Sequence, residues 1–179
     1  SYNQSIAQTR CDAVIFGVFE DKNLPKELKA IDSKLDSVVS KACKDKVFKA
    51  EWKEVSVFHS LGRFPWRQLI IVGLGKKAEF SSEKERQVAG LSAKCARDLG
   101  AKNALFCFKL SSQLLTEGAI LGLYQFNEFK TEKKEKEKEL KDLFIWNGNK
   151  KEIATATTLA EAVNYTRTLV NRPAGMVTP

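Results

Sequence analysis

A glycine turn with two basic residues is the stretch whose residue types come closest to a known chemistry. Gly73 and Gly75 follow an apolar run, and Ala78 completes the G-x-G-x-x-A spacing of dinucleotide-binding folds. In those folds the glycines let a pyrophosphate approach the backbone where a helix begins. Here the next helix signal starts only at Ser82, several residues too late. We therefore favour a plain strand-to-loop turn and keep nucleotide binding as an alternative.

The other residue types form no catalytic constellation. His59 is the only histidine, so a His-rich zinc site is excluded, and a strand histidine satisfied by its neighbours is the favoured interpretation. No serine lies in a G-x-S-x-G elbow, and no H-E-x-x-H motif occurs. We assign no catalytic residue, no cofactor-binding residue and no metal-binding residue to this chain.

The cysteines and the lack of long apolar runs limit the class of protein to which this chain can belong. The four cysteines make no C-x-x-C pair, which predicts buried, reduced thiols in a cytoplasmic protein. They are Cys11, Cys43, Cys95 and Cys107. No apolar run reaches the ~20 residues that cross a bilayer, and no secretory signal is expected.

The formal net charge of +8 makes nucleic acid an alternative partner. Phosphate contacts would come from Lys22, Lys26, Lys29 and the Lys/Glu run at residues 130–141. Against this, the 30 basic residues are interspersed with 22 acidic ones, and Glu alternates with Lys within the run. DNA binding is therefore not favoured. The run could form a solvated helix through its i, i+4 Glu–Lys pairs, but we favour a mobile loop.

Strands and helices alternate along the chain, which predicts an α/β fold with a mixed, mostly parallel sheet between helices. The most apolar strand, Leu69–Val72, is expected at the sheet centre, and residues 47–61 nearer an edge. The predicted strands are 13–19, one or two within 47–61, 69–72, 104–108 and 143–146. The predicted helices are 28–42, 82–99, 112–124 and one that starts after Asn149.

Capping signals set the predicted helix ends. Ser82 and Glu85 have capping-box spacing, and Gly100 suits a left-handed stop. Asn149 is the expected cap of the last helix, which should end near Asn171 because a proline lies two positions further on. A second pair of glycines, Gly118 and Gly122, weakens the 112–124 helix and would allow a backbone to approach closely. Five residues of the last helix fall on one face: Leu159, Ala162, Val163, Thr166 and Val170.

Two stretches carry a specific family resemblance, and a third carries a less specific one. The segment from Arg167 to Pro179 resembles the linker of leucyl (cytosol) aminopeptidases, with its Arg-x-Leu-Val-Asn-x-Pro pattern closing in Thr-Pro. Residues 117–131 resemble the E-G-x-x-L-x-x-Y-x-F…K-T stretch of that family, and Gly73-Leu-Gly-Lys76 is similar to its signature at a strand end. The resemblance covers nearly the whole chain in order.

The resemblance implies a non-catalytic amino-terminal domain, similar in fold to macro domains, over residues 1–149. Residues 150–179 would then be a linker helix and the start of the connection to a catalytic domain. The same macro-domain analogy makes ADP-ribose a second alternative ligand of the glycine turn.

For the full-length protein, the resemblance implies a cytoplasmic, hexameric metallo-aminopeptidase that removes amino-terminal residues, often Leu, from peptides. Two divalent metals, Zn or Mn, would activate its water from the catalytic domain, whose ligands are not in this chain. The implied partners are that catalytic domain, further copies of the chain, and peptide substrates bound by the catalytic domain. No membrane is implied. The present chain alone is expected to be inactive.

Overall fold

Five strands form one sheet in the computed structural model, which describes residues 5–21, 23–129 and 138–176. The spatial order is β2-β3-β1-β4-β5. β1 pairs in parallel with β3 and β4, β4 pairs in parallel with β5, and β2 runs antiparallel to β3. The predicted mixed, mostly parallel sheet is confirmed. The strands are β1 (Ala13–Phe19), β2 (Val55–His59), β3 (Gln68–Gly75), β4 (Asn103–Phe106) and β5 (Asp142–Ile145).

The centre of the sheet is β1, so the prediction that Leu69–Val72 lies there is wrong. Those residues belong to β3, which has the edge strand β2 on its other side. Apolar composition reports burial on both faces of a strand, and β1 and β3 are both almost wholly buried. Composition therefore does not rank the two strands. The edge position expected within residues 47–61 is confirmed by β2.

Helices cover both faces of the sheet. One hydrophobic cluster joins β1 and β3 to α1 and α2, and a second joins them to α3 and α4. Within the described part of the chain, no helix is both long enough and apolar enough to cross a membrane. The helices are α1 (Lys26–Asp32), α2 (Val38–Lys44), α3 (Ser82–Asp98), α4 (Ser112–Leu123) and α5 (Lys150–Asn171).

The single helix predicted over residues 28–42 is two helices, α1 and α2. Asp36 and Ser37 adopt left-handed backbone angles between them, with φ of 56° and 58°. The buried Asp32 carboxylate accepts hydrogen bonds from the Val39 and Ser40 backbone N–H groups, at 2.8 and 3.1 Å. It thereby caps the start of α2 from within the preceding helix. The apolar periodicity runs through the break, and this is why the sequence pattern missed it.

The cap of α3 also differs from the prediction. Ser81, not Ser82, accepts the Lys84 N–H, and α3 begins at Ser82. Glu85 accepts the backbone N–H of Ser111 at the start of α4. Burial raises the pKa of Glu85, opposed by this hydrogen bond and by the charge of Arg86. The carboxylate therefore ties two helices together instead of closing a capping box.

Both ends of α5 agree with the prediction. Asn149 Oδ1 accepts the backbone N–H groups of Lys151 and Glu152, at 3.0 and 3.4 Å. The helix ends at Asn171, because Pro173 disfavours helical geometry at Arg172. The expected left-handed stop at Gly100 is present too, with φ of 80°.

The cysteines are free thiols. Cys11, Cys43 and Cys107 are buried, as predicted, and Cys95 is half-buried. Burial raises the pKa of the Cys11 thiol to about 12, with a smaller contribution from Asp12. Cys11 is therefore protonated at neutral pH and unreactive.

Candidate functional site

The first part of the motif that begins at Glu117, residues 117–123, lies on α4, where it packs against α3. A side chain added at Gly118 would overlap the backbone of Arg86, whose Cα and carbonyl C lie 2.7 and 2.8 Å from the added Cβ. One turn later, an added Cβ at Gly122 would lie 2.5 Å from the Cα of Gly90. The two helices therefore touch backbone to backbone at these glycines. The close approach expected from the glycine pair is confirmed.

Glu117 forms a largely buried ion pair that fixes the same helix pair. Its Oε2 accepts a hydrogen bond from Arg86 Nε at 2.7 Å, and its Oε1 accepts one from Gln113 Nε2 at 2.8 Å. Burial raises the pKa of the carboxyl, but the hydrogen bonds from Arg86 and Gln113 and the Arg86 charge outweigh burial and lower it. Glu117 is thus ionised at neutral pH and joins α4 to α3.

Glu117→Gln is expected to lower the free energy of unfolding at pH 7 by about 1–3 kcal/mol, because the Arg86 guanidinium loses its charged partner. The pKa of Glu117 is lower in the folded protein. The stabilisation is therefore full above the unfolded pKa of about 4.3 and is lost as pH falls through the folded pKa. Urea unfolding at several pH values should show the two proteins converging in acid.

Glu83 supplies the matched control for that experiment. It contacts the same Arg86 at 3.8 Å, but its side chain is 66% exposed. Glu83→Gln should change the free energy of unfolding by less than about 0.5 kcal/mol. Equal effects of the two substitutions, or a Glu117 effect that does not change with pH, would contradict the assigned ion pair.

The last turn of α4 is held by α5. Asn164 Nδ2 donates to the Ile120 carbonyl at 3.2 Å, and Arg167 Nη1 donates to the Leu121 carbonyl at 3.1 Å. The final carbonyls of a helix have no partner within the helix, and cationic side chains near them are favourable. Side chains of α5 therefore cap the carboxyl end of α4.

Tyr124, which comes directly after α4, joins the two stretches that carry the sequence motifs. The Arg167 guanidinium lies over its ring at 4.1 Å. Its hydroxyl lies 3.1 Å from Thr168 Oγ1 and accepts a hydrogen bond from Asn171 Nδ2 at 3.4 Å. Glu128 and Arg172 add an ion pair at 2.8 Å. We call this α4–α5 contact, formed by Tyr124, Asn164, Arg167, Thr168 and Asn171, the joint.

Tyr124→Phe is expected to lower the free energy of unfolding by about 1 kcal/mol, since the hydroxyl serves Thr168 and Asn171. Tyr165→Phe is the matched control, because Tyr165 lies on α5 and is 64% exposed. It should leave stability within about 0.5 kcal/mol of the unchanged chain. Urea unfolding of the three proteins measures both effects. Equal losses from the two tyrosines would argue against the joint.

The two glycines expected in a strand-to-loop turn, Gly73 and Gly75, instead lie in the last residues of β3, and the chain itself fills the space beside them. An added Cβ at Gly73 would overlap the Glu51 carbonyl and lie 2.7 Å from the Ala50 carbonyl C. Gly75 has a left-handed φ of 70° and lies against Trp52. The backbone that these glycines admit is therefore residues 50–52, in the place where a nucleotide phosphate would have to approach.

The histidine and the acidic residues form no metal site in the described structure. His59 lies at the exposed end of β2, which confirms that it is a strand residue. Within residues 5–21, 23–129 and 138–176, no group of three or more His, Cys, Asp or Glu side chains could hold a metal ion. The described residues thus do not fit a di-metal centre, and we assign no hydrolytic step to them.

The structure describes only part of the basic surface. Lys26 and Lys29 are exposed on α1. Lys109, which lies outside that helix, forms an ion pair at 3.2 Å with Glu27 of α1. Lys22 and residues 130–137 of the predicted mobile loop lie outside the described residues. Because Glu alternates with Lys along that run, DNA binding stays an alternative that is not favoured.

Sequence reasoning missed Arg86, Asn164 and Thr168. The signal for the first was Glu117, a carboxylate within an apolar helix, which requires a cation nearby. The signal for the others was polar side chains one turn apart on α5, beside the Arg167 of the linker pattern. Neither signal identifies its partner, because the partner lies on another element.

The sequence of this α/β domain matches a known family. The model of the cytosol aminopeptidase family, N-terminal domain, matches residues 15–133. Among curated relatives, probable cytosol aminopeptidases from Sulfurihydrogenibium sp. and Alkaliphilus metalliredigens are 34% and 32% identical. The matches cover 97% and 99% of this chain, but 37% and 39% of the relatives.

Solved structures of related proteins share this fold. A mutant of tomato leucine aminopeptidase superposes with a TM-score of 0.77 at 25% identity, over 99% of this chain and 39% of that chain. The bottromycin maturation enzyme BotP, at 21% identity and a TM-score of 0.70, shares the fold over 94% of this chain and 34% of its own. The chain belongs to the cytosol aminopeptidase family and corresponds to its amino-terminal domain. It spans about two fifths of the length of these relatives.

Proposed function

We propose that the chain is the non-catalytic amino-terminal domain of a di-metal leucyl aminopeptidase. The full-length protein would hydrolyse amino-terminal residues, often Leu, from peptides with two Zn or Mn ions held by its catalytic domain. The relatives are named cytosol aminopeptidases, which supports the activity and a cytoplasmic location. In the domain division that we propose, residues 1–149 form the domain and residues 150–179 lead to the catalytic domain.

The joint is the observation that carries this proposal. Residues of the two family-specific stretches, separated by more than forty positions, bind one another at the end of α4. The joint sets the direction in which α5 leaves the domain. A domain that carries no assigned chemistry but fixes its exit helix is suited to positioning a second domain connected to that helix.

The proposed role is to support assembly, as a hexamer, and to restrict access to the active sites. The test compares two forms of the extended protein, meaning this chain continued through the full length of its relatives. One form is complete and the other lacks residues 1–149. Light scattering gives the mass of the assembly, and kcat/KM for a dipeptide and for a ten-residue peptide gives access.

We expect the deletion to change the assembly mass or the ratio of the two kcat/KM values. Because a deletion can unfold the remainder, a double substitution of Tyr124 and Arg167 by Ala provides a second variant that loosens only the joint. Unchanged mass and an unchanged ratio in both variants would overturn the supporting role.

A further inference from the structure

The outer side of α5 carries a largely apolar row that the described residues leave uncovered. By helical periodicity, five residues lie within a sector of about 100°. All five are exposed, and Leu159, Val163 and Val170 are 52%, 47% and 80% exposed. We call this row the outer stripe: Leu159, Ala162, Val163, Thr166 and Val170.

The outer stripe differs from an ordinary solvent-facing helix side. Beyond the first turn of α5, the charged residues are Glu161 and Arg167, and neither lies in the stripe. Arg167 is engaged with α4 at the joint. The inner side of the helix is already used, with Ala156 and Ala160 buried. A solvated helix carries polar residues opposite its buried face, so the uncharged row indicates a second buried face.

The position of the stripe indicates which partner covers it. It lies on the last helix, and relatives that match 97–99% of this chain are covered over only 37–39% of their own length. A single row of five side chains is far narrower than the roughly 20–30 residues a side of a stable interface between separate proteins. A covalently connected domain needs less area, because its effective concentration is high.

We propose that the outer stripe is the surface on which the catalytic domain of the same polypeptide packs. This rests on the proposed function, since it takes the extended protein to contain that domain. The joint holds α5 against α4, so the domain and the stripe move as one unit. The catalytic domain is therefore oriented by apolar contact along α5 as well as by its covalent connection.

Thiol accessibility tests the proposal. Val163→Cys is introduced into residues 1–179 and into the extended protein, and the rate of N-ethylmaleimide labelling at that position is measured by peptide mass spectrometry. We expect labelling to be about tenfold or more slower in the extended protein, because a covered thiol reacts only when the contact opens. Reading each peptide separately keeps the native cysteines from contributing.

Tyr165→Cys is the matched control. Position 165 lies about 200° around the helix from position 163, and Tyr165 is 64% exposed. Its labelling rate should be the same in the two proteins. Slower labelling at both positions would mean that the added chain shields α5 without a specific contact, and this result would overturn the proposal.

Two further measurements show whether a second copy covers the stripe and distinguish failure of this proposal from failure of the proposed function. If position 163 becomes protected in residues 1–179 as their concentration rises, a second copy covers the stripe and the proposal fails. If the extended protein hydrolyses peptides while position 163 stays equally reactive in both proteins, the proposal fails but the proposed function stands. If the extended protein has no peptidase activity with Zn or Mn, the proposed function fails, and the inference that rests on it fails with it.

Discussion

Replacing Gly118 with Ala is expected to lower the free energy of unfolding by about 2–3 kcal/mol, although Ala is the better helix former by about 1 kcal/mol. The added Cβ would overlap the Arg86 backbone of α3, with the Arg86 Cα 2.7 Å away. Backbone atoms have no rotamer that clears the overlap, so the two helices must separate. That separation also stretches the Glu117–Arg86 pair.

The sign of this change decides between two accounts of the glycine. If Gly118 were only a weak point of α4, Ala would raise stability. Urea unfolding of Gly118→Ala measures the sign, and Gly175→Ala is the control because an added Cβ at Gly175 meets no atom within 4 Å. The control should stay within about 0.5 kcal/mol of the unchanged chain. A stability gain in Gly118→Ala would contradict the backbone contact described here.

Replacing Gly73 with Ala is expected to cost about 3 kcal/mol or to prevent folding, as thermal unfolding of the variant would show. Gly73 lies in the buried strand β3, and its open side is filled by Ala50 and the Glu51 carbonyl. The segment beside it, residues 50–54, is also hydrogen-bonded to Gly73. Gly73 N donates to the Glu54 carbonyl at 2.7 Å, and Lys53 N donates to the Gly73 carbonyl at 3.1 Å. Displacing this segment breaks both bonds.

Thermal unfolding also addresses the nucleotide and ADP-ribose alternatives. The unchanged chain should show no shift in Tm with millimolar ADP-ribose, because the glycines face residues 50–52. A bound ligand would raise Tm by mass action. Lys76→Ala with Lys77→Ala is the companion variant, since both lysines are exposed at the turn. A Tm rise that this variant abolishes would establish a phosphate site.

Much of the architecture could be predicted from the sequence because its signals are local. The cap at Asn149, the end of α5 before Pro173 and the extent of α4 each depend on residues within a few positions of one another. The alternation of apolar runs likewise predicted a layered, mostly parallel sheet. Such features need no knowledge of which elements become neighbours.

Features that depend on distant partners could not be predicted in the same way. The Asp32 side chain caps α2 and breaks a helix whose apolar period continues through it. Glu85 reaches Ser111 in another helix instead of its own first turn. The joint was visible only as two separate motifs, and the contact between Tyr124 and Arg167 required the fold.

We propose that this chain is the non-catalytic amino-terminal domain of a metallo-aminopeptidase. The decisive measurement is hydrolysis of leucine p-nitroanilide by residues 1–179 and by the extended protein, purified in parallel. Each protein is assayed with Zn or Mn and again after chelation. We expect no activity in residues 1–179 and chelator-sensitive activity in the extended protein. Activity in peptidase-free residues 1–179, or none in the folded, metal-loaded extended protein, would contradict it.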